Sequence, residues 1–400
     1  MARGAGMTEP ARETQPAPPP SLAIRLRHWR NRQIGAPGFR RLMARLPIAR
    51  WIASRKANHL FRLTAGFVHS QILGSCVRLG LFGLLENGGR TTSALAQASG
   101  LDPARLRLLL EQAERLELLR EMAPDFWMLD DAGAVIAGDA GLAAMIRHHD
   151  MFYRDLGDLD GLLRGVAGET GLARFWAYAR GGDAAGLDAA AVAPYSSLMR
   201  LSQAMIADCV LAAHDFGRYR CLLDVGGGDG AFLAEAGRAH PALELRLFDL
   251  PAVAERAQQH LADHGLAGRS RVQGGDFVQD PIPDDADCVT LIRILCDHDD
   301  GRARRILGNL HRSLKPGTHL VVAEAMAGPS EGARLAASYF SLYFLAMGSG
   351  RCRGASDIQT LLSNGIGKIQ INTATLPGDF NAHAAACITN MLNSPRCNIT

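Results

Sequence analysis

The stretch that decides the fold lies just past the middle of the chain and reads Leu222-Leu223-Asp224-Val225-Gly226-Gly227-Gly228-Asp229-Gly230. Its apolar half predicts a buried strand, and the residues beyond Gly230 show a helical pattern. Glycines between the two allow positive φ angles and let a ligand approach the backbone, while the helix N-terminus offers free N–H groups. The stretch therefore predicts a strand–turn–helix unit that holds a nucleotide-type cofactor.

The charges in this turn indicate which cofactor it holds. Asp224 and Asp229 would repel the pyrophosphate of a dinucleotide, and Gly226, Gly228 and Gly230 form G-x-G-x-G rather than the dinucleotide pattern G-x-G-x-x-G. S-adenosylmethionine carries a sulfonium and an α-ammonium, so carboxylates favour it. We predict S-adenosylmethionine as the cofactor, with an NAD-dependent dehydrogenase as the disfavoured alternative.

Strand and helix patterns alternate from Cys221 onward. Further strands are predicted at 244–249, around Val272, at 287–292 and at 319–323, and a helix that closes at Pro316-Gly317 precedes the last of them. Such alternation is typical of an α/β, doubly wound, Rossmann-like parallel sheet that binds its ligand at the carboxyl ends of the strands.

Two acidic positions at these strand ends are candidate cofactor ligands. Asp249 follows the glycines at the spacing of a ribose ligand, although it could instead cap the helix that starts at Leu250-Pro251. In Gly274-Gly275-Asp276-Phe277, the carboxylate and the ring of the last two residues could hold the edge and face of an adenine. The alternative is that this segment is only a turn.

Composition bounds the class of protein. The chain has 400 residues, 48% of them hydrophobic and 21% charged, with a formal net charge of +3, which suits two globular domains. Eight cysteines are scattered without a C-x-x-C pair, as expected for reduced thiols in a cytoplasmic protein, and no metal site is expected. No apolar run approaches the roughly 20 residues that span a bilayer.

The amino-terminal region is unusually basic. After a Pro/Ala-rich opening to Pro20, no acid occurs between Glu13 and Glu86, and arginines alternate with apolar residues. This pattern is typical of a helix on an anionic membrane surface. The alternatives are that this region packs against its own domain or a partner subunit, or that it is a transit peptide.

Residues 59–150 predict a winged helix. Asp102-Pro103 starts a helix with Leu106 and Leu110 at core spacing, and Phe126–Leu129 suggests a β-hairpin. The second helix carries three glutamates and lacks the basic face that nucleic acid requires, so we expect dimerisation rather than nucleic-acid binding.

The order of motifs resembles the S-adenosylmethionine-dependent O-methyltransferases of the caffeate and hydroxyindole type, over about residues 60–370. Three segments most resemble the bacterial carotenoid branch, the demethylspheroidene and hydroxyneurosporene O-methyltransferases: 148–156, 293–300 and 324–328. The resemblance implies a class I methyltransferase domain and a homodimer through the winged-helix domain. It implies a ribose contact at Asp249, adenine contacts at Asp276 and Phe277, and cofactor or acceptor contacts near Tyr195, Met199 and Gln203. We also assign Leu250 and Arg293 to the cofactor and Tyr153 to the acceptor.

At the catalytic positions, the chain departs from the family pattern. Cys296 stands where plant-type members have a basic histidine; of the two supporting glutamates, one matches Glu324 and the other is replaced by Cys352. A thiol is a poor base at neutral pH. Asp297 and His298 are candidate replacements, although His298 could be a surface loop residue. We expect a late proton transfer, to Asp297 or to water.

These patterns predict four regions: an extension (1–58), the winged-helix domain (59–150), the methyltransferase domain (151–375) and a divergent tail (376–400), with 368–372 a possible returning strand. The expected acceptor is an apolar hydroxylated molecule, a 1-hydroxy carotenoid. A small aromatic or indole hydroxyl is the alternative acceptor, and a non-catalytic ligand-binding regulator is the alternative of another class.

Overall fold

The computed structural model describes residues 21–176 and 206–365. Tyr195, Met199, Gln203, the possible strand at 368–372 and the tail at 376–400 lie outside these ranges. Within them, no helix is both long enough and apolar enough to cross a membrane. The chain divides into two compact units, Met1–Ser70 and Gln71–Thr400.

The described part of the first unit is helical. Ser21 caps the first helix by accepting a hydrogen bond from the Ile24 N–H, and Pro37 occupies the first turn of the second, where its missing N–H costs nothing. No residue of the first two helices is buried. The helices are α1 (Leu22–Gly35), α2 (Pro37–Met43) and α3 (Pro47–Arg78), of which α3 ends in the second unit.

The second unit begins with the helix–turn–helix and hairpin that the sequence predicts. Asp102 accepts the Arg105 N–H as a cap, and the buried Trp127 indole donates to the Thr92 hydroxyl at 3.0 Å. Strands pair in the order β1–β3–β2, all antiparallel. The elements are α4 (Leu81–Leu85), β1 (Arg90–Thr91), α5 (Thr92–Ser99), α6 (Pro103–Arg115), β2 (Leu119–Ala123), β3 (Phe126–Leu129) and α7 (Asp131–Gly138).

Helices connect this part to the sheet. Asp139 caps the longest of them through the Leu142 N–H, and Thr170 caps a short one through the Ala173 N–H. They are α8 (Ala140–Asp155), α9 (Leu159–Arg164), α10 (Gly171–Phe175) and the described part of α11, residues 206–213.

A five-stranded parallel sheet forms the centre of the second unit, in the order β6–β5–β4–β7–β8. Its two central strands, β4 and β7, are buried along their whole length, as expected when helices cover both faces. The chain order reverses between these two strands, which is where ligands bind in doubly wound folds. The elements are β4 (Cys221–Val225), α12 (Ala231–Ala239), β5 (Glu244–Asp249), α13 (Pro251–Asp263), β6 (Ser270–Gly274), β7 (Cys288–Ile292), α14 (Asp300–Ser313) and β8 (His319–Ala323).

Beyond the sheet, two short parallel strands pair Met326 with Arg353. A long helix between them is aromatic on one face. These elements are β9 (Met326–Ala327), α15 (Glu331–Met347), β10 (Arg353–Gly354) and α16 (Ala355–Gly365). The doubly wound sheet predicted from the strand–helix alternation is therefore confirmed.

Candidate active site

The glycine turn follows β4 at the carboxyl edge of the sheet. Gly226, Gly228 and Gly230 have φ angles of 75°, 59° and 83°, in the left-handed region that favours glycine. A Cβ on Gly226 would come within 2.4 Å of Ile294 Cδ1, whereas a Cβ on Gly228 would meet no described atom within 4 Å. The turn is therefore packed at its start and open in its middle.

Asp224 lies beneath this turn and is only 1% exposed. Its Oδ1 accepts a hydrogen bond from the Thr290 hydroxyl at 2.6 Å, but no described group donates to its buried Oδ2. Desolvation, aided by the charge of Asp249, raises the pKa of Asp224 to about 7. A buried carboxylate with an unpartnered oxygen is suited to a cationic ligand.

Asp249 ends β5 beside the same turn. Its Oδ2 accepts the Gly228 N–H at 2.8 Å and its Oδ1 accepts the Leu250 N–H at 2.7 Å. Desolvation raises its pKa to about 6. The alternative that Asp249 caps α13 is wrong, because the cap residue is Leu250 and no side chain accepts there. Asp249 instead fixes the glycine turn against the end of β5.

The segment after β6 combines a turn with a ring directed at the glycines. Asp276 accepts hydrogen bonds from the Val278 N–H and the Gln279 side chain, so its carboxylate stabilises its own turn. The Phe277 ring lies 3.6 Å from the position of a Cβ on Gly226. Asp276 thus stabilises a turn, and the adenine contacts of Asp276 and Phe277 stay predictions.

The turn after β7 carries the candidate catalytic residues. Glu324, at the end of the neighbouring strand and 2% exposed, accepts the N–H groups of Ile294, Leu295 and Cys296 at 3.0, 2.7 and 3.3 Å. Burial raises its pKa. Because its carboxylate is occupied by backbone donors, Glu324 holds the shape of this turn.

Arg353 holds the same turn from its other side and was missed from the sequence. Only 2% exposed, it donates to the Leu295 and His298 carbonyl oxygens at 2.6 and 2.8 Å and to Asp300 Oδ1 at 2.7 Å. Arg351 N–H donates to the Cys296 carbonyl at 2.8 Å. The only signal for Arg353 in the sequence was its position next to Cys352, which stands where the family pattern has a glutamate.

Cys296 and Asp297 sit at the apex of this turn. The Cys296 thiol, 3.5 Å from Asp297 Oδ1, has a pKa raised well above its usual range by burial and by the carboxylates of Glu324 and Asp297. Burial raises the pKa of Asp297 to about 7, although the nearby Arg293 guanidinium lowers it. The thiol is therefore protonated at neutral pH, and the raised pKa of Asp297 brings its titration into the neutral range.

His298 is buried, being 5% exposed, so the alternative that it is a surface loop residue is wrong. Its ring centroid lies 5.9 Å from that of Phe277, which places it towards the glycine turn. Arg293, the first residue after β7, has φ 58°, an uncommon angle for a side-chain-bearing residue, and its N–H donates to the Ala323 carbonyl.

An aromatic cluster covers the other side of Cys296. Cys296 belongs to the same buried cluster as Phe152 of α8, Trp176 and Tyr343 of α15. The Trp176 indole donates to the Tyr343 hydroxyl at 2.8 Å, and the ring centroids of Phe152 and Tyr343 lie 5.2 Å apart. The cluster gives the turn a largely apolar wall.

Two histidines, the half-buried His148 and the buried His149, were also missed as site residues and lie within hydrogen-bond distance of tyrosines of this wall. His148 Nε2 lies 2.7 Å from the Tyr343 hydroxyl and His149 Nε2 lies 2.7 Å from the Tyr339 hydroxyl. Desolvation lowers the pKa of both histidines to about 4, so they stay neutral. Tyr153 lies beside His149, with ring centroids 6.1 Å apart. The aromatic spacing along α15 was the signal available in the sequence.

Comparison with known proteins decides the family. A model of the O-methyltransferase domain matches residues 161–366, more than half of the chain. The chain belongs to this O-methyltransferase family. The demethylspheroidene O-methyltransferase of Cereibacter sphaeroides is 42% identical over 373 residues, which cover 93% of this chain and 97% of that protein.

Other relatives agree with this methyltransferase assignment. The demethylspheroidene O-methyltransferase of Rhodobacter capsulatus is 37% identical, over 80% of this chain and 79% of its own. The crystal structure of human N-acetylserotonin methyltransferase in complex with S-adenosylmethionine superimposes with a TM-score of 0.64 at 25% identity, over 79% of this chain and 93% of the human chain.

The methyltransferase uses S-adenosylmethionine, and its own residues fit that cofactor. The unpartnered, buried Oδ2 of Asp224 provides a negative site for a cation, and the open space over Gly228 lets a ligand reach the backbone. The family assignment leaves the dehydrogenase alternative without support.

Proposed function

We propose that this enzyme methylates a hydroxyl group of a carotenoid, in the biosynthesis of spheroidene-type carotenoids. The observation that carries the proposal is the 42% identity, over nearly the full length of both chains, to a demethylspheroidene O-methyltransferase. The aromatic cluster around Cys296 supports it, because a wall of Phe152, Trp176 and Tyr343 suits an apolar polyene.

In this proposal, Asp297 and Cys296 have distinct roles in the turn after β7. S-adenosylmethionine supplies an electrophilic methyl group when bound. Glu324 and Arg353 keep the turn in place, and Asp297 accepts the hydroxyl proton late in the transfer, since an alcohol is far less acidic than a phenol. Cys296 contributes packing rather than proton transfer, because its thiol stays protonated.

Two further proposals concern assembly and location. The enzyme acts as a homodimer through its winged-helix domain, and it works in the cytoplasm at the inner or photosynthetic membrane. Support for the first is the resemblance of the motif order to dimeric methyltransferases. Support for the second is the apolar character of the proposed acceptor.

The experiment is methyl transfer from labelled S-adenosylmethionine to a 1-hydroxy carotenoid, with a catechol and a hydroxyindole as parallel acceptors. We expect label in the carotenoid alone. Label in a small aromatic acceptor alone would favour the second candidate, which the similarity to N-acetylserotonin methyltransferase supports. Tight binding of S-adenosylhomocysteine without any transfer would point instead to a ligand-binding regulator.

A further inference from the structure

The basic arm, defined here as residues 21–56, combines exposed apolar side chains with one sign of charge. It carries nine arginines and Lys56 but no acidic residue. Trp29 and Trp51 are 62% and 60% exposed. Eight further large apolar side chains of the arm are exposed: Leu22, Ile24, Leu26, Ile34, Leu42, Leu46, Ile48 and Ile52.

Part of this exposed apolar surface lies on one face of a helix. In α1, Leu22, Leu26 and Trp29 follow each other at intervals of four and three residues, so they share one face. In α3, the Arg55 guanidinium lies 4.9 Å from the centroid of the Trp51 ring. A tryptophan ring in contact with an arginine side chain combines apolar surface and positive charge at one position, as is typical of a membrane interface.

The charge and the exposed apolar side chains argue against two other occupants, the arm of a second copy and a nucleic acid. Two copies of the arm would bring ten positive charges against ten, without a carboxylate in either arm to pair with them. A nucleic acid would pair with the arginines but would not bury the exposed leucines and isoleucines. Anionic lipid offers phosphate groups and an apolar layer together.

We propose that the basic arm binds the surface of an anionic bilayer. This inference rests on the proposed function, because a hydroxylated carotenoid is dissolved in the bilayer and must be reached there. The arm keeps the enzyme at the lipid surface, and the sheet and the turn after β7 carry the chemistry.

The test compares two adjacent arginine pairs that are all exposed, Arg40 and Arg41 in the arm and Arg304 and Arg305 on α14. The full chain is sedimented with phosphatidylcholine vesicles, with or without a minority of phosphatidylglycerol. We expect the double variant Arg40→Glu/Arg41→Glu to lose about tenfold or more of its partition onto anionic vesicles. Arg304→Glu/Arg305→Glu should stay within about twofold of the parent.

Three results would overturn the inference. The first is an equal loss of partition onto anionic vesicles in both double variants, and the second is equal binding of the parent chain to neutral and anionic vesicles. The third is a change of molecular mass in Arg40→Glu/Arg41→Glu without a change in vesicle binding, which would show that a second copy covers the arm. Methylation of a hydroxy carotenoid in detergent micelles is measured separately. If the carotenoid is not methylated but the chain still binds anionic vesicles, the acceptor proposal is contradicted and the proposal that the arm binds lipid is not.

Discussion

Single glycines decide whether the carboxyl edge of the sheet can take a cofactor. Gly228 and Gly265 both have left-handed φ angles, 59° and 73°, and in both cases a Cβ would meet no described atom within 4 Å. They differ in place, since Gly228 lies above Asp224 and Gly265 follows α13. Alanine variants at the two positions therefore distinguish the effect of backbone strain from the effect of a lost cofactor contact.

We expect Gly228→Ala and Gly265→Ala to lower the free energy of unfolding by a similar amount, about 1–2 kcal/mol, because both force a side chain into the left-handed region. Only Gly228→Ala should weaken binding of S-adenosylhomocysteine, by about tenfold or more. Urea unfolding and calorimetric titration measure the two effects. Equal affinity in both variants would contradict the cofactor site.

Asp297 leads to a prediction about pH. Its pKa, raised to about 7 by burial, lies above its ordinary value, so the ionised form that can accept a proton accumulates as pH rises through 7. We expect kcat/KM to rise over this range and then level off. Asp297→Asn should remove the rise and lower kcat by about 10²-fold or more.

Cys296→Ala is the control for this pH profile. The thiol is protonated throughout the range, so its removal should keep the rise of kcat/KM with pH. Loss of all turnover in Cys296→Ala, with full activity in Asp297→Asn and His298→Ala, would contradict the assigned roles.

At the scale of elements, the turn after β7 depends on two strands that supply its supports. Glu324 follows β8 and Arg353 begins β10, and together they bind five backbone groups between Ile294 and His298. The turn is therefore positioned by residues distant in sequence.

We expect Arg353→Met to lower the free energy of unfolding by about 3–5 kcal/mol, because it leaves two buried carbonyl groups and an Asp300 oxygen without their donor. Arg351→Ala is the matched control. Its guanidinium also binds Asp300 but is 53% exposed, so its loss should cost less than about 1 kcal/mol. Thermal and urea unfolding check both; equal losses would refute a specific role for Arg353.

The sequence predicted the elements better than the contacts between them. The strand bounds followed from mostly apolar runs such as 221–225 and 288–292, each interrupted by one polar residue, because a buried parallel strand needs apolar side chains on both faces. The acidic residues at the strand ends were predicted as well, because they lie where such apolar runs end. Glu324 was predicted as a site residue, but its contacts and the role of Arg353 were not, since Arg353 binds the 295–300 segment from β10, which is distant from it in sequence.

Side-chain roles were the least predictable part of the site. In the sequence, Asp249 was the expected ribose ligand with helix capping as the alternative, and only the structure shows that its carboxylate accepts the Gly228 and Leu250 N–H groups rather than capping α13. His298 looked like a loop residue because its burial comes from Phe277 and other distant neighbours. Burial by segments that are distant in the sequence produces no periodic pattern of apolar residues around the buried position.

At the scale of the whole molecule, the chain combines a methyltransferase unit with a basic arm. The methyltransferase unit provides a negative cofactor site, a supported turn and an aromatic wall. The arm provides an exposed apolar and positive surface. The acceptor connects the two proposals, because only an apolar acceptor makes a membrane surface useful.

The most direct measurement of this central claim is a competition in one reaction mixture. A 1-hydroxy carotenoid and a hydroxyindole are offered together to the full chain with labelled S-adenosylmethionine, and the ratio of the two labelled products gives the ratio of kcat/KM. We expect the carotenoid methyl ether to exceed the indole product by about a hundredfold or more. A ratio near one, or in favour of the indole, would contradict the account.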